Sequence, residues 1–187
     1  MKAENQQLLL KVARDAIFQT LENPRGRFPK PGTLPDELME KRATFVTLTI
    51  KKRLRGCIGM LEACRPLAED VAENARAAAF EDPRFPPLTK AEFEKLDIRI
   101  SILSPPAEMD FSSEADLLRQ IRPGVDGLIL QEGFRRGTFL PSVWEELPEK
   151  ELFWAHLKLK AGLPADYWSE TLRVFRYTTD SFPRDAP

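Results

Sequence analysis

Between Ala43 and Met60 the chain reads ATFVTLTIKKRLRGCIGM, and this stretch constrains the fold more than any other. From Thr44 to Ile50 nearly every residue is β-branched or aromatic, the composition of a half-buried strand. The charged Lys51-Lys52-Arg53 reads as a turn, and the apolar run after it is interrupted by Gly56 and Gly59, which flank Cys57. Glycine weakens a strand unless backbone must bend or something must come close. Two within four residues therefore predict a bulge or a binding edge.

The remaining chain alternates helical and strand patterns. Leu8, Leu9, Val12, Ala16, Ile17 and Phe18 recur at helical spacing over residues 3–21. Residues 22–42 hold Pro24, Gly26, Pro29, Pro31, Gly32 and Pro35, which predicts a surface excursion with a short helix from Asp36 to Lys41. Pro66 suits the first turn of a helix running to Phe80, whose alanines suggest close packing on a sheet. Asp82–Thr89, DPRFPPLT, stops it, and Thr89 with Glu92 has capping-box spacing. Leu96–Leu103 alternates as a strand, Ser112 or Ser113 can cap a helix to Ile121, and Gly127–Gln131 with Phe134–Leu140 forms a second hairpin. Pro148 opens a long helix with Leu152, Phe153, His156 and Leu159 near one face and Gly162 as its C-cap, and Thr171–Thr178 is a final strand. Each hairpin carries an Arg-Gly pair in its second strand, Arg55-Gly56 and Arg136-Gly137, and each leads to a proline-opened helix. The expectation is a single α+β domain over residues 1–187, built on a mainly antiparallel sheet with flanking helices. The pattern is compatible with a large and a small lobe and with an internal duplication.

Twenty-eight Lys and Arg against 29 Asp and Glu leave a formal charge of −1, so no global field favours a polyanion and nucleic-acid binding is not expected. The N-terminal MKAENQQLLLKVARDAI is too polar for a signal peptide, and no apolar run approaches the ~18 residues of a membrane span, which points to the cytoplasm. In that compartment Cys57 and Cys64 are not expected to pair. Two cysteines and one histidine are too few for a four-ligand Cys/His zinc site, and no phosphate- or dinucleotide-binding signature is present, so neither metal nor cofactor is expected.

LRGCIG, at residues 54–59, resembles the signature of the AMMECR domain family, called AmmeMemoRadiSam system protein A in prokaryotes. Similar phrases follow in order: DPRFPPLT from Asp82, PGVDGLIL from Pro123, RRGTFLPSVW from Arg135, KAGLP from Lys160 and RYTT from Arg176. The resemblance spans about residues 8–182. It implies partnership with a Memo-like protein and a radical S-adenosylmethionine protein, and it places Cys57 at the family's signature cysteine.

A thiol between glycines and beside Arg55 has the exposure and the neighbouring cation that favour a reactive thiolate, so Cys57 is the candidate catalytic residue. Strand alternation leaves open whether it faces the core instead. His156, the only imidazole, is the only available partner for a Cys–His dyad, and its helix is expected to pack on the sheet that holds Cys57. Arginine in rigid glycine- and proline-rich segments can hold a carboxylate or phosphate bidentately. The candidate ligand-binding set is therefore Arg55, Gly56, Gly59, Asp82, Arg84, Phe85, Arg136 and Thr138. These residues suggest a cleft for a small anionic ligand in an enzyme or enzyme component. The other reading is a non-catalytic regulatory module that binds protein or nucleic acid.

Overall fold

The computed structural model describes residues 1–23 and 34–183; the proline-rich segment from Pro24 to Gly32 lies outside them. In chain order the elements are α1 (Ala3–Glu22), α2 (Asp36–Met39), β1 (Thr44–Ile50), β2 (Arg53–Gly59), α3 (Leu67–Phe80), α4 (Lys90–Phe93), β3 (Leu96–Leu103), β4 (Ala107–Glu108), α5 (Glu114–Gln120), β5 (Gly127–Glu132), β6 (Arg135–Phe139), α6 (Lys150–Lys160), β7 (Arg173–Tyr177) and β8 (Thr179–Phe182). A 3-10 turn spans Pro141–Glu145. The α+β class is as expected, but the strands form two four-stranded sheets, β2-β1-β3-β8 and β4-β7-β5-β6, in place of one. They belong to two compact units, one made of Met1–Leu103 with the residues from Asp180 onward and the other of Ser104–Thr179.

In the first unit β1 pairs antiparallel with both β2 and β3, placing Val46 between Ile58 and Ile100, and Leu48 between Gly56 and Ile98. These side chains point to one face, where α1 brings Leu9, Ala13 and Ile17, α2 brings Leu38, α3 brings Leu67, Val71, Ala75 and Ala78, and α4 brings Phe93 into a single apolar core. The Lys51-Lys52 turn closes with both residues at positive φ, 51° and 62°, the left-handed pair whose twist matches a two-residue hairpin. Leu48 pairs with Gly56 but Thr49 pairs with Leu54, so Arg55 is an extra residue, and β2 holds the predicted bulge on the sheet's edge. A fully buried carboxylate, Asp70, accepts hydrogen bonds from Thr44 N (3.0 Å), Thr44 Oγ1 (2.7 Å) and Asn74 Nδ2 (2.9 Å), tying α3 to the start of β1. Its other oxygen takes Arg65 Nη2 at 2.9 Å, which pins the loop after LRGCIG.

In the second unit β5 pairs antiparallel with β6 and β7, and its core gathers Leu117, Leu128, Leu130, Trp144, Phe153, Trp154 and Val174. Trp144 and Phe153 stack with centroids 3.7 Å apart. The long helix begins at Lys150, two residues after Pro148, and buries a different face from the one expected. Phe153, Trp154, Leu157 and Lys158 turn inward, whereas Leu152, His156 and Leu159 are exposed. Gly162, at φ 78°, ends the helix as its sequence position suggested.

The two units repeat one plan: helix, hairpin, helix and strand, with the hairpin's second strand on the sheet edge. Gly56 of β2 lies against the Ala78 backbone of α3, and Gly137 of β6 lies against Ala161 at the end of α6. The Arg-Gly echo in the sequence therefore marks equivalent edge strands, each approached closely by the helix that follows it.

Candidate functional site

Gly56 points at α3, so Cys57 next to it points to the opposite face of the sheet, away from the core that the unit's four helices build. On that face Cys57 stands across from Thr47, and Thr47 across from Arg99. The Cys57 thiol, half-exposed and reduced, shares a hydrogen bond of 3.3 Å with the Thr47 hydroxyl. Gly59 keeps the same strand open for the Phe45 ring, which would collide with any side chain there.

The edge of β2 leaves the peptide groups of Cys57 without a strand partner, and the loop after α3 supplies one from side chains. Asp82 Oδ2 accepts from Cys57 N at 2.9 Å, and Arg84 Nη2 donates to Cys57 O at 3.3 Å. The two side chains are themselves joined. Arg84 gives Nε to Asp82 Oδ1 at 2.9 Å and Nη2 to Oδ2 at 2.7 Å, and its backbone N–H also reaches Oδ1 at 3.1 Å. Arg84's bonds hold the carboxyl of Asp82 well below the usual carboxylate range, outweighing the burial that leaves the residue 4% exposed. Asp82 in return raises the pKa of Arg84, and the Cys57 sulfur lies near enough to add to that effect.

Arg55 is occupied in a second pair. Its Nε and Nη2 meet Glu92 Oε1 and Oε2 at 2.8 and 3.1 Å, and Nη2 also donates to Pro86 O at 2.9 Å. Glu92 simultaneously closes the capping box with Thr89, as the spacing predicted, and its pKa falls to about 2, first through Arg55 and then through the Thr89 amide. The Arg55 Nη1 is buried with no hydrogen-bond partner among the described residues. Both guanidiniums lie over the Phe85 ring, at 5.8 Å for Arg55 and 5.6 Å for Arg84.

Arg55, Gly56, Cys57, Gly59, Asp82, Arg84 and Phe85 thus share one edge of the first unit. Arg136 and Thr138 lie on β6 of the second, where Thr138 Oγ1 donates to Leu128 O at 2.9 Å and meets Tyr177 Oη at 3.0 Å. His156 departs from expectation. Its helix packs into the core of the second unit, whereas Cys57 belongs to the first, and its Nδ1 bonds the Leu152 carbonyl of its own helix at 2.8 Å. Sequence reasoning also missed Thr47 and Glu92 as neighbours of the site. Thr47 sat in plain view as a polar residue within an apolar strand, while Glu92 read only as a helix cap.

A family model, AMMECR1, matches residues 10–182. The chain belongs to the AMMECR1 family. Among AMMECR1-family relatives, a protein of Methanothermobacter thermautotrophicus is 41% identical over 180 residues, covering 95% of this chain and 93% of its own. Protein MJ0810 of Methanocaldococcus jannaschii is 42% identical over 157 residues, covering 82% and 78%. The crystal structure of uncharacterized protein PH0010 from Pyrococcus horikoshii is similar over 97% of this chain and 92% of its own, with 37% identity and a TM-score of 0.89.

Proposed function

We propose that this AMMECR1-family protein binds a small anionic ligand on the face of the first sheet opposite its apolar core, with Cys57 as the residue that meets it. In this reading it serves as a cytoplasmic enzyme or enzyme component alongside a Memo-like protein and a radical S-adenosylmethionine protein. The observation that carries the reading is the clamp on Cys57. Two charged side chains fix its peptide at both ends while its thiol, turned away from the apolar core, faces a hydroxyl. Any residue at this edge position would need its peptide groups satisfied, so what distinguishes Cys57 from a small core residue is the thiol held on the face away from the core. Thr47 can donate to the sulfur and Arg84 holds the carbonyl of the same residue, so the side chain that would act as nucleophile is fixed in place. The buried Arg55 Nη1 is a donor that an anionic group entering beside Phe85 would satisfy. Asp82, Arg84 and Phe85 shape the wall of this site, and Gly56 and Gly59 are the clearances that let it form.

The rival reading, a regulatory module that catalyses nothing, draws on the pairing of Arg55 with Glu92 and of Arg84 with Asp82, which leaves the edge nearly neutral. Alkylation by iodoacetamide at neutral pH, followed by peptide mass mapping, separates the two. The proposal expects half-exposed Cys57 to label far faster than the exposed Cys64, and expects folded Cys57→Ser to fail in complementing a deletion strain. Slower labelling of Cys57 together with full complementation leaves the regulatory module standing.

A further inference from the structure

The row of residues that crosses the first sheet at Cys57 carries two short polar side chains and then a cation. Cys57 on β2 pairs with Thr47 on β1, and Thr47 pairs with Arg99 on β3, so all three side chains leave the sheet on the face opposite the apolar core. All three are half-buried. The flanking rows stand taller. On one side Phe45 lays its ring over Gly59, where any side chain would collide with it, and on the other Leu54, 44% exposed, stands across from Thr49. Between them the thiol and the Thr47 hydroxyl form the floor of a shallow trough that runs toward Arg99. Among the described residues paired on this face of β1, β2 and β3, Arg99 is the one cation, and the acid Asp97 belongs to the neighbouring row.

We propose that Arg99 receives the anionic group of the ligand whose reactive carbon meets the Cys57 sulfur. Resting on the reading of Cys57 given above, this assignment fixes the ligand's class: a small carboxylate whose anionic group lies a few atoms from an electrophilic carbon. The outer Cα atoms of the row are about 10 Å apart, a span that an arginine leaned over one threonine closes to the length of a short-chain acid. Arg84 also comes near the sulfur, but from the edge of the sheet and bonded through Nε and Nη2 to Asp82, whose carboxylate opposes an incoming anion. Arg55 is turned to Glu92. Arg99 comes from the opposite side, along the face from which the thiol projects. Its planar guanidinium grips a carboxylate through two parallel hydrogen bonds, which gives the bound acid a single orientation along the trough.

Paired alkylation of the full chain with iodoacetate and iodoacetamide at neutral pH, followed by peptide mass mapping, reads the assignment directly. In both reactions the thiolate forms its S–C bond as iodide leaves, so a change in thiolate fraction alters the two rates alike and cancels from their ratio. Repulsion between thiolate and carboxylate makes iodoacetate the slower reagent at an exposed thiol such as Cys64. At Cys57 the iodoacetate-to-iodoacetamide ratio is expected to exceed that at Cys64 by about tenfold, and Arg99→Gln is expected to bring it down to the Cys64 value. Arg99→Met, which keeps the stem of the side chain, takes its place if circular dichroism shows Arg99→Gln to be unfolded; should neither fold, the wild-type ratio decides. A Cys57 that reacts with both reagents no faster than Cys64 overturns the proposed site and the role of Arg99 together. A fast Cys57 whose ratio equals that of Cys64, or a ratio that survives in folded Arg99→Gln or Arg99→Met, overturns the role of Arg99 alone.

Discussion

Replacing Gly56 with alanine tests the reason for the signature's first glycine. A Cβ at this position would fall on the carbonyl oxygen of Ala78, which is helix backbone and cannot rotate aside. To restore ordinary contact, β2 or α3 must move by more than about 1 Å, in a region where Ala75, Ala78 and Ala79 are at most 2% exposed and bonds from Asp70 and Asn74 hold α3 to β1. Overpacking of this kind typically costs 1–3 kcal/mol; with rigid backbone on one side of the clash we expect about 3 kcal/mol, or roughly 6–12 °C in Tm for a chain of this length. Gly133→Ala is the control, because its φ of 58° strains an alanine but nothing lies within 4 Å of the new methyl, which limits the cost to about 1 kcal/mol. Urea unfolding of both variants, checked by thermal melts, supplies the comparison. If Gly56→Ala loses no more stability than Gly133→Ala, close approach of α3 is not why residue 56 is a glycine.

Asp82→Ala removes the acceptor of Cys57 N–H and releases Arg84 to solvent, which should cost about 2–3 kcal/mol in urea unfolding because the lost carboxylate was buried; a loss below about 0.5 kcal/mol would mean that water replaces it without penalty. Glu92 titrates at about 2 in the fold against 4.5 for the ordinary group, so its stabilising effect is complete above pH 4.5 and is lost as pH falls toward about 2. Glu92→Gln should therefore flatten the fall of Tm across that interval, and an unchanged slope would show that other carboxylates govern the acid transition.

Local patterns in the sequence carried much of the fold. The Thr44–Gly59 hairpin, the Thr89–Glu92 capping box, the alternating strand at Leu96–Leu103 and the glycine after α6 depend on neighbours within a few residues, and all are found where those patterns point. The short β4 and β8 were not legible, since two to four residues carry no period and become strands only when a longer strand lies alongside. The inward face of α6 was misread because the helix has apolar residues on both sides, so periodicity alone could not choose between Leu152 and Leu159 or Phe153 and Leu157.

The sequence by itself determined that Cys57 lies on a strand, that the strand is broken by glycines, and that a rigid Asp-Pro-Arg-Phe loop follows the next helix, because each is a matter of backbone preference. Only the tertiary structure decided what these residues do to one another. Arg55 turned to Glu92 and Arg84 to Asp82, and the Asp82–Arg84 pair closed around the Cys57 peptide, because an edge strand exposes donors and acceptors that must be satisfied and the end of α3 delivers the loop to that edge. Residues 57 and 82 are brought together by the packing of α3 through Gly56, a long-range contact that no spacing within the chain encodes.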